Sequence, residues 1–377
     1  MKELLKLKRL WLLIAFPIGL AYYLVAKNNA YIAENVFAKI IFKPLSQIFS
    51  CISGIFPFSI WELIIVLSPF ALITILVIFI RKTIKSKGSR RVIIFKGLIN
   101  ILCAVSVVFC VYEVMSGANY FRYSFTEYCS FDAEDYNTDD LYPLCVELAE
   151  KMNEVRPTLE SDENSAVVFG GSYRSVARAA DASMDKLAVS YPVLKGSYGI
   201  PKSVFFSRYM SYAHIVGVYS PFTMESNVDT DVEESFIPST MCHELSHMRG
   251  FMREDEANFI SYLACTGSDD PLFRYSGYLD AFIRCSNELA AYDREGYNSL
   301  YKMLDPLIIY DMIADNEYWT AINEIKVTET VSAVSETVND TYLKANSQTE
   351  GTRTYSYVTR LILADYKARK AADSSEE

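Results

Sequence analysis

The chain has few histidines and, outside its N-terminal third, few positive charges. Only 3 of its 377 residues are histidine. Residues 1–115 carry 14 basic and 4 acidic residues, so the totals of 36 and 46 leave 22 basic and 42 acidic residues for the remainder. A net charge of −20 there argues against nucleic acid and anionic lipid as partners, because both carry phosphates. Internal repeats and Gly/Ser-rich linkers are also absent, which excludes a repeat architecture.

Two of the three histidines stand four positions apart, in His243-Glu244-Leu245-Ser246-His247. On a helix their imidazoles lie one turn apart on the same face and can reach one cation. Glu244 lies about 100° around the helix, beside the ligands, where its carboxylate can act on a water molecule. This is the H-E-x-x-H arrangement of zinc peptidases, which arises by chance in roughly one of several hundred chains this poor in histidine. The alternative is a helix that merely carries two surface histidines.

The flanking residues predict an amphipathic helix around this motif. Pro238, Ser239 and Thr240 are typical of a helix start, and Gly250 is typical of a helix end. The face opposite the histidines is apolar and is expected to pack into the core: Met241, Leu245, Met248 and Met252.

A catalytic zinc ion normally has three protein ligands and one open position. His214, the remaining histidine, falls in an apolar segment that predicts a strand, so a carboxylate is favoured as the third ligand. A helix starting at Glu254 would place Glu254 and Asn258 on one face, with Glu256 pointing roughly the opposite way. Glu254 is therefore the predicted third ligand, with Glu256 as the fallback. Asn258 is the predicted hydrogen-bond partner of a ligating histidine.

These residues resemble the gluzincins, zinc metallopeptidases in which H-E-x-x-H is joined by a glutamate from a following helix. More narrowly, the stretch from Cys242 to Phe259 resembles a family of bacterial membrane proteins of unknown function, DUF3810. Other stretches are similar to that family too: Phe56-Pro57-Phe58-Ser59, Pro221-Phe222-Thr223 with Glu225 and Asn227, and Tyr342-Leu343-Lys344 with Asn346. The resemblance implies a membrane-anchored protein with a zincin-like domain.

Two features depart from the zinc-peptidase patterns. Only six residues separate His247 from Glu254, whereas most gluzincins have a longer insertion there. The metzincin pattern H-E-x-x-H-x-x-G-x-x-H matches at Gly250 but has Arg253 at its third-ligand position. A guanidinium cannot bind zinc, so the metzincin assignment fails.

Three apolar segments near the N-terminus are long enough to span a bilayer, at about residues 10–26, 61–80 and 92–115. Pro17 and the lack of a small-residue cleavage site favour an uncleaved anchor over a signal peptide for the first segment. The spans hold no paired charges, which argues against a transporter. Residues 31–56 are apolar and are expected to form an interfacial helix on the outer surface.

Charged residues around the spans predict the orientation. Basic residues cluster before the first span and between the second and third, so both clusters belong in the cytoplasm by the positive-inside rule. Residues 1–115 are thus predicted to be a multi-pass membrane domain with a cytoplasmic N-terminus. Residues 116–377 are predicted to be an extracytoplasmic domain at a bacterial cell membrane.

The external part predicts a mostly helical α+β fold with a small sheet. Cys129 and Cys145 form a candidate disulfide in it. Besides the two metal helices, the pattern predicts helices at Asp139–Val155, Ser175–Val189, Leu272–Leu289, Tyr297–Asp315, Val327–Leu343 and Thr354–Ala371, and strands at Ser203–Phe206, Ser211–Tyr219 and Thr223–Val228. The expected class is therefore a membrane-anchored α+β protein, with three transmembrane helices followed by a zincin-like domain.

The expected function is zinc-dependent hydrolysis of peptide bonds, with Glu244 as general base. Candidate oxyanion donors are His214, Tyr219 and Tyr355, and the segment around Thr223–Val228 could pair with an extended peptide. The alternative is a catalytically inactive membrane sensor or scaffold that binds peptide or cell-envelope ligands. Retention of Glu244 favours the enzyme, because a structural metal site needs no general base.

Overall fold

The computed structural model describes residues 8–131, 137–346, 348 and 357–376. The chain is mostly helical, with one three-stranded sheet, in agreement with the predicted class. The N-terminal part holds a 3-10 helix (Lys8–Ile14), α1 (Ala15–Asn28), α2 (Ala30–Ile32), a π-helical stretch (Ala33–Phe42), α3 (Lys43–Gly54), α4 (Ile60–Lys85) and α5 (Arg90–Met115).

Four N-terminal helices of the described chain are long and apolar enough to cross a membrane: Lys8–Asn28, Ala30–Gly54, Ile60–Lys85 and Arg90–Met115. The first, third and fourth contain the three predicted spans. Helices α1 and α5 lie in close contact, because a Cβ on Gly19 would stand 2.9 Å from the Cα of Cys110. These helices support association with a lipid bilayer.

The helix from Ala30 to Gly54 contains the segment predicted to be interfacial, and it packs along the C-terminal part through polar side chains. The buried carboxylate of Glu34 accepts hydrogen bonds from the guanidinium of Arg122 at 2.8 and 2.9 Å. The Ser46 hydroxyl donates to the Met248 carbonyl at 2.7 Å. Apolar side chains on its other faces are exposed, including Ile40, Ile48 and Ile52. Such a division of polar and apolar faces is that of an amphipathic helix.

Residues after Met115 form ten helices in the described part of the chain, apart from short 3-10 turns. They are α6 (Leu141–Val155), α7 (Tyr173–Ser190), α8 (Ser207–Tyr212), α9 (Ile237–Met248), α10 (Glu254–Thr266), α11 (Pro271–Tyr292), α12 (Arg294–Tyr301), α13 (Pro306–Asn323), α14 (Thr328–Ala345) and α15 (Tyr357–Glu376). The predicted single helix Tyr297–Asp315 is wrong, because it is two helices. Asp305 caps the second by accepting from Leu307 N, and Pro306 occupies its first turn.

The sheet contains β1 (Lys202–Ser203), β2 (Gly217–Ser220) and β3 (Glu225–Val228), in the order β1-β3-β2. β3 is parallel to β1 and antiparallel to β2. The predicted strand Thr223–Val228 therefore contains β3, whereas Ser203–Phe206 reduces to its first residue. The predicted strand Ser211–Tyr219 is wrong over most of its length. Its first part closes α8, and His214 then reverses the chain with a φ of 53° before β2 begins.

The core of the C-terminal part holds a buried ion pair beside its apolar side chains. Arg156 donates to Asp311 through Nε and Nη2, and both side chains are almost fully buried. Asp311 also accepts from the Val167 amide and the Tyr275 hydroxyl, so the buried carboxylate has several donors. The predicted disulfide is wrong, because all eight cysteines are free; the Cys129 thiol donates to the Phe125 carbonyl instead.

A second buried pair joins the sheet to the start of α4. The carboxylate of Glu225 accepts from the backbone amides of Ile60 and Trp61, at 3.1 and 2.8 Å. Its partner Lys202 donates to Glu225 and to the carbonyls of Ser53 and Phe58. A negative charge at a helix N-terminus is stabilising, so this pair fastens the sheet to the end of a membrane helix.

Candidate metal centre

Helix α9 positions the two histidines by burying the opposite face. Met241, Leu245 and Met248 are almost completely buried in the core, as the apolar periodicity predicts. His243 and His247 face a cavity, and their ring centroids lie 4.7 Å apart. The spacing of four residues thus brings both imidazoles to the same side of one helical turn.

A turn at Gly250 ends α9 and orients one of these rings. Gly250 has a φ of +89°, a conformation that residues with a Cβ rarely adopt. Its amide donates to the His247 carbonyl, and the Phe251 amide donates to the Ser246 carbonyl. The chain is thereby reversed, and the Phe251 carbonyl oxygen lies 2.8 Å from His247 Nδ1. Since a carbonyl only accepts, Nδ1 carries the proton and Nε2 is left for a metal.

Glu254, the first residue of α10, brings its carboxylate to both histidines. Its Oε2 lies 3.2 Å from His243 Nε2, and its Oε1 lies 3.8 Å from His247 Nε2. The two Nε2 atoms are 3.1 Å apart. One donor atom from each of the three residues lies within 4.8 Å of the others, a spacing that one metal ion can bridge.

Asn258 stands one turn after Glu254 and holds the other ring. Its Oδ1 lies 2.9 Å from His243 Nδ1, which leaves His243 Nε2 directed at the cluster. Arg284 of α11 donates to the same oxygen at a longer 3.4 Å. Arg284 was not among the residues identified from the sequence, since it is 26 positions away and lies in no recognisable motif.

Glu256, the fallback ligand, points away from the cluster. It is 2% exposed, and its carboxylate accepts from the Ser124 hydroxyl at 2.7 Å and from the Phe125 amide at 2.9 Å. Arg253 lies 3.3 Å from the same oxygen. This carboxylate is therefore engaged on the opposite side of α10, and the structure brings Glu254 to the histidines.

Glu244 is buried beside the cluster with an oxygen that has no partner. The residue is 4% exposed, and its Oε2 has no hydrogen-bond partner in the described structure. Burial raises the pKa of Glu244 to about 8, with the positive charge of His243 opposing this shift and the charge of Glu254 adding to it. A buried carboxyl with a free oxygen and a pKa near neutrality is suited to proton transfer.

Burial and charge act differently on the two histidines. Burial lowers the pKa of His247 to about 4, which keeps the ring neutral, the form that binds metals. Burial opposes charging of His243 as well, but the hydrogen bond and the negative charge of Glu254 raise its pKa above the usual value. The charge of Glu254 is thus matched by one imidazole when no cation is bound.

Strand β2 covers Glu244 from above. A Cβ built on Gly217 would overlap the Glu244 carboxylate, so only glycine leaves room for it here. β2 is an edge strand, whereas β3, the segment predicted to pair with a peptide, is paired on both sides. That prediction is therefore wrong for β3, and the free edge in the described sheet that borders the cavity belongs to β2.

The structure separates the candidate oxyanion donors from one another. The Tyr219 ring lies 6.1 Å from the His247 ring, but its hydroxyl donates to the Met115 carbonyl at 3.1 Å. His214 lines the same cavity, where its Nε2 lies 2.9 Å from Asn323 Oδ1 and its ring contacts Trp319. Tyr355 lies outside the described residues.

The cavity beside the cluster has a volume of about 1910 Å³ and extends to the membrane helices α1 and α5. Two tyrosines that the sequence did not single out as site residues line it, Tyr112 and Tyr120. Tyr112 donates to Asn346 at 2.7 Å, and Tyr120 lies 3.3 Å from the Tyr342 hydroxyl. Tyr342 and Asn346 belong to a stretch noted for its family resemblance, which was the available signal.

Comparison with known proteins identifies one family. A family model described as "Protein of unknown function (DUF3810)" matches residues 37–363, which is most of the chain. No curated protein and no solved structure matches the chain significantly.

Proposed function

The chain belongs to this family of unknown function, and we propose that it is a membrane-bound, zinc-dependent peptidase. The proposal rests on one observation. Two histidines of α9 and a glutamate of α10 converge on one point, and the unpartnered oxygen of Glu244 lies next to them in the same cavity. A purely structural metal site would have no use for a buried carboxylate without a partner, which costs free energy.

The donor set suits zinc. Two imidazole nitrogens and one carboxylate oxygen are the ligands of known catalytic zinc sites, and they leave a coordination position open. Hydrogen bonds from both Nδ1 atoms, to Asn258 and to the Phe251 carbonyl, orient the rings in the way that ligating histidines require. A bound zinc ion would supply Lewis acidity towards water and the peptide carbonyl.

The residues of the chain divide the remaining work. Glu244 takes a proton from the attacking water and returns it to the amine of the leaving peptide. The free edge of β2 aligns an extended substrate by backbone hydrogen bonds. Gly217 allows this strand to approach Glu244 closely, so that the peptide lies over the base.

The proposed location follows from the charges that flank the spans. Lys8–Asn28, Ile60–Lys85 and Arg90–Met115 cross the bilayer, with their basic ends in the cytoplasm. The helix from Ala30 to Gly54 lies on the outer surface, because its polar side chains pack on the external domain. Peptide bonds are thus cleaved on the outer face of a bacterial cell membrane.

The test uses the full-length protein in detergent or nanodiscs. We expect about one zinc ion per chain by elemental analysis, and cleavage of members of a peptide library. Glu244→Gln should keep the metal and lose cleavage, because an amide cannot accept the proton. Glu150→Gln, on the exposed side of α6, is the matched control and should retain both. Metal without cleavage in any variant would instead identify a sensor or scaffold, and absence of metal would refute both.

A further inference from the structure

The cavity at the metal cluster continues along the membrane helices. One end is lined by His243, Glu244 and His247, and the other by apolar side chains of α1 and α5, among them Leu20, Val105 and Val108. Val105 and Val108 are each more than half exposed, so the space beside them is open. A soluble peptide needs no such apolar extension, so the shape indicates a substrate with an apolar part.

Two contacts place the metal cluster directly at the end of α5. The Tyr219 ring lies 6.1 Å from the His247 ring, while its hydroxyl bonds the carbonyl of Met115, the last residue of α5. The Ser116 hydroxyl lies 3.6 Å from the sulfur of Met252, which also lines the cavity. The scissile bond would therefore lie within a few residues of the bilayer surface.

The apolar end of the cavity is as deep as one leaflet. Ala104 also lines the cavity, and it lies eleven residues before Met115. At 1.5 Å per residue, that position lies about 16 Å below the end of the helix. Half of a hydrocarbon core measures about 15 Å. An acyl chain fits this depth, whereas a transmembrane helix would need a groove along all of α5.

Glu113 marks the junction between the two ends. It lines the cavity, is 4% exposed, and its Oε2 has no hydrogen-bond partner in the described structure. A buried carboxylate oxygen without a partner needs an N–H or O–H donor. The amide of an acylated peptide supplies one, whereas the phosphate of an ordinary phospholipid would bring a second negative charge.

We propose that the substrate is a lipid-anchored peptide. Its acyl chain lies between α1 and α5 in the adjoining leaflet, its first amide donates to Glu113, and its peptide chain runs on to the metal cluster. This assignment depends on the proposed function for the cleavage, but the binding of such a ligand can be measured separately.

The test measures binding by photolabelling. An N-hexadecanoyl peptide with a diazirine on its acyl chain is added to full-length Glu244→Gln protein in nanodiscs, and the labelled residues are mapped by mass spectrometry. We expect labels on cavity-lining residues of α1 and α5. Val108→Trp should lower labelling about tenfold, because the indole overfills the groove. Val111→Trp, three residues away and outside the cavity lining, should change it less than about twofold.

Two comparisons separate the possible failures. Equal labelling of the cavity by a phosphatidylethanolamine with the same diazirine chain, or labelling insensitive to Val108→Trp, would overturn the lipid-anchored substrate. Cleavage of the N-hexadecanoyl and N-acetyl forms of the peptide by the wild-type protein is measured in parallel. Selective cavity labelling without cleavage of either form would refute the peptidase but leave the ligand assignment standing. Cleavage of both forms at equal rates without selective labelling would do the reverse.

Discussion

Gly217 of β2 lies so close to the Glu244 carboxylate that no side chain can be added between them. The two residues are 27 positions apart and belong to a strand and a helix. Their contact fixes where the candidate base stands relative to the edge that would hold a peptide, and the first prediction follows from it.

Gly217→Ala should lower kcat/KM about a hundredfold, because a displacement of the base by about an ångström is costly in a catalytic site. The zinc content should stay at the wild-type value, since Gly217 contacts the base and not the ligands. Steady-state kinetics and elemental analysis of the same preparation check both parts. Unchanged kinetics would mean that Glu244 is not the base.

The third ligand can be tested with a pair of neighbouring glutamates. Glu254→Gln should lose most of the bound zinc, because the carboxylate that lies near both histidines becomes a neutral amide. Glu256→Gln should keep the metal, because its side chain bonds Ser124 and Phe125 on the other side of α10. Equilibrium dialysis against zinc measures both variants, and the reverse result would restore Glu256 as the ligand.

Asn258→Ala should weaken zinc binding about 10- to 100-fold, because His243 loses the acceptor that orients its ring. Asn258→Asp keeps an acceptor at the same place and should bind zinc at least as tightly as the wild type. Competition with a chromogenic chelator gives the affinities. If both variants bind zinc like the wild type, Asn258 does not orient His243.

Gly250→Ala should destabilise the protein by about 1–2 kcal/mol, because an L-residue is strained at positive φ. The added Cβ would also meet Arg122 Nη1 and Phe42 Cε1 at 2.9 Å, so the turn that carries Phe251 must shift. Zinc affinity should fall together with the melting temperature. Gly88→Ala, at a glycine with open space around it, is the control and should leave both unchanged.

Asp311→Ala should cost about 3–5 kcal/mol of stability, because it leaves the buried guanidinium of Arg156 without its counter-charge. Chemical denaturation monitored by tryptophan fluorescence measures this loss. Asp269→Ala removes the partner of an exposed ion pair with Lys186 and should have no measurable effect. Equal stability of the two variants would show that the Arg156 charge is solvated in another way.

The sequence was informative where local periodicity decides the structure. Residues four positions apart lie on one helical face whatever the tertiary contacts, so the grouping of His243 and His247 and the start of α10 at Glu254 could be inferred. Apolar length alone likewise predicted the three membrane helices that the structure contains. Long α-helices carry both signals redundantly, which makes them robust.

The sequence was uninformative where single backbone angles or distant contacts decide. Alternation over Ser211–Tyr219 indicates a strand, but the left-handed conformation at His214 leaves no signal in composition. The same is true of Gly217 above Glu244 and of the Glu225 carboxylate at the start of α4, since both join segments far apart in sequence. Pairing of strand and base is a tertiary property that one sequence does not encode visibly.

The joint formed by Lys202 and Glu225 means that the membrane anchor and the presumed working half are one folding unit. Removing everything before residue 116 would leave an ammonium group and a carboxylate enclosed with half of their partners missing. Attempts to produce the external half alone should therefore yield insoluble or rapidly degraded material. The anchor does more than tether: it completes the interior of the domain that it carries.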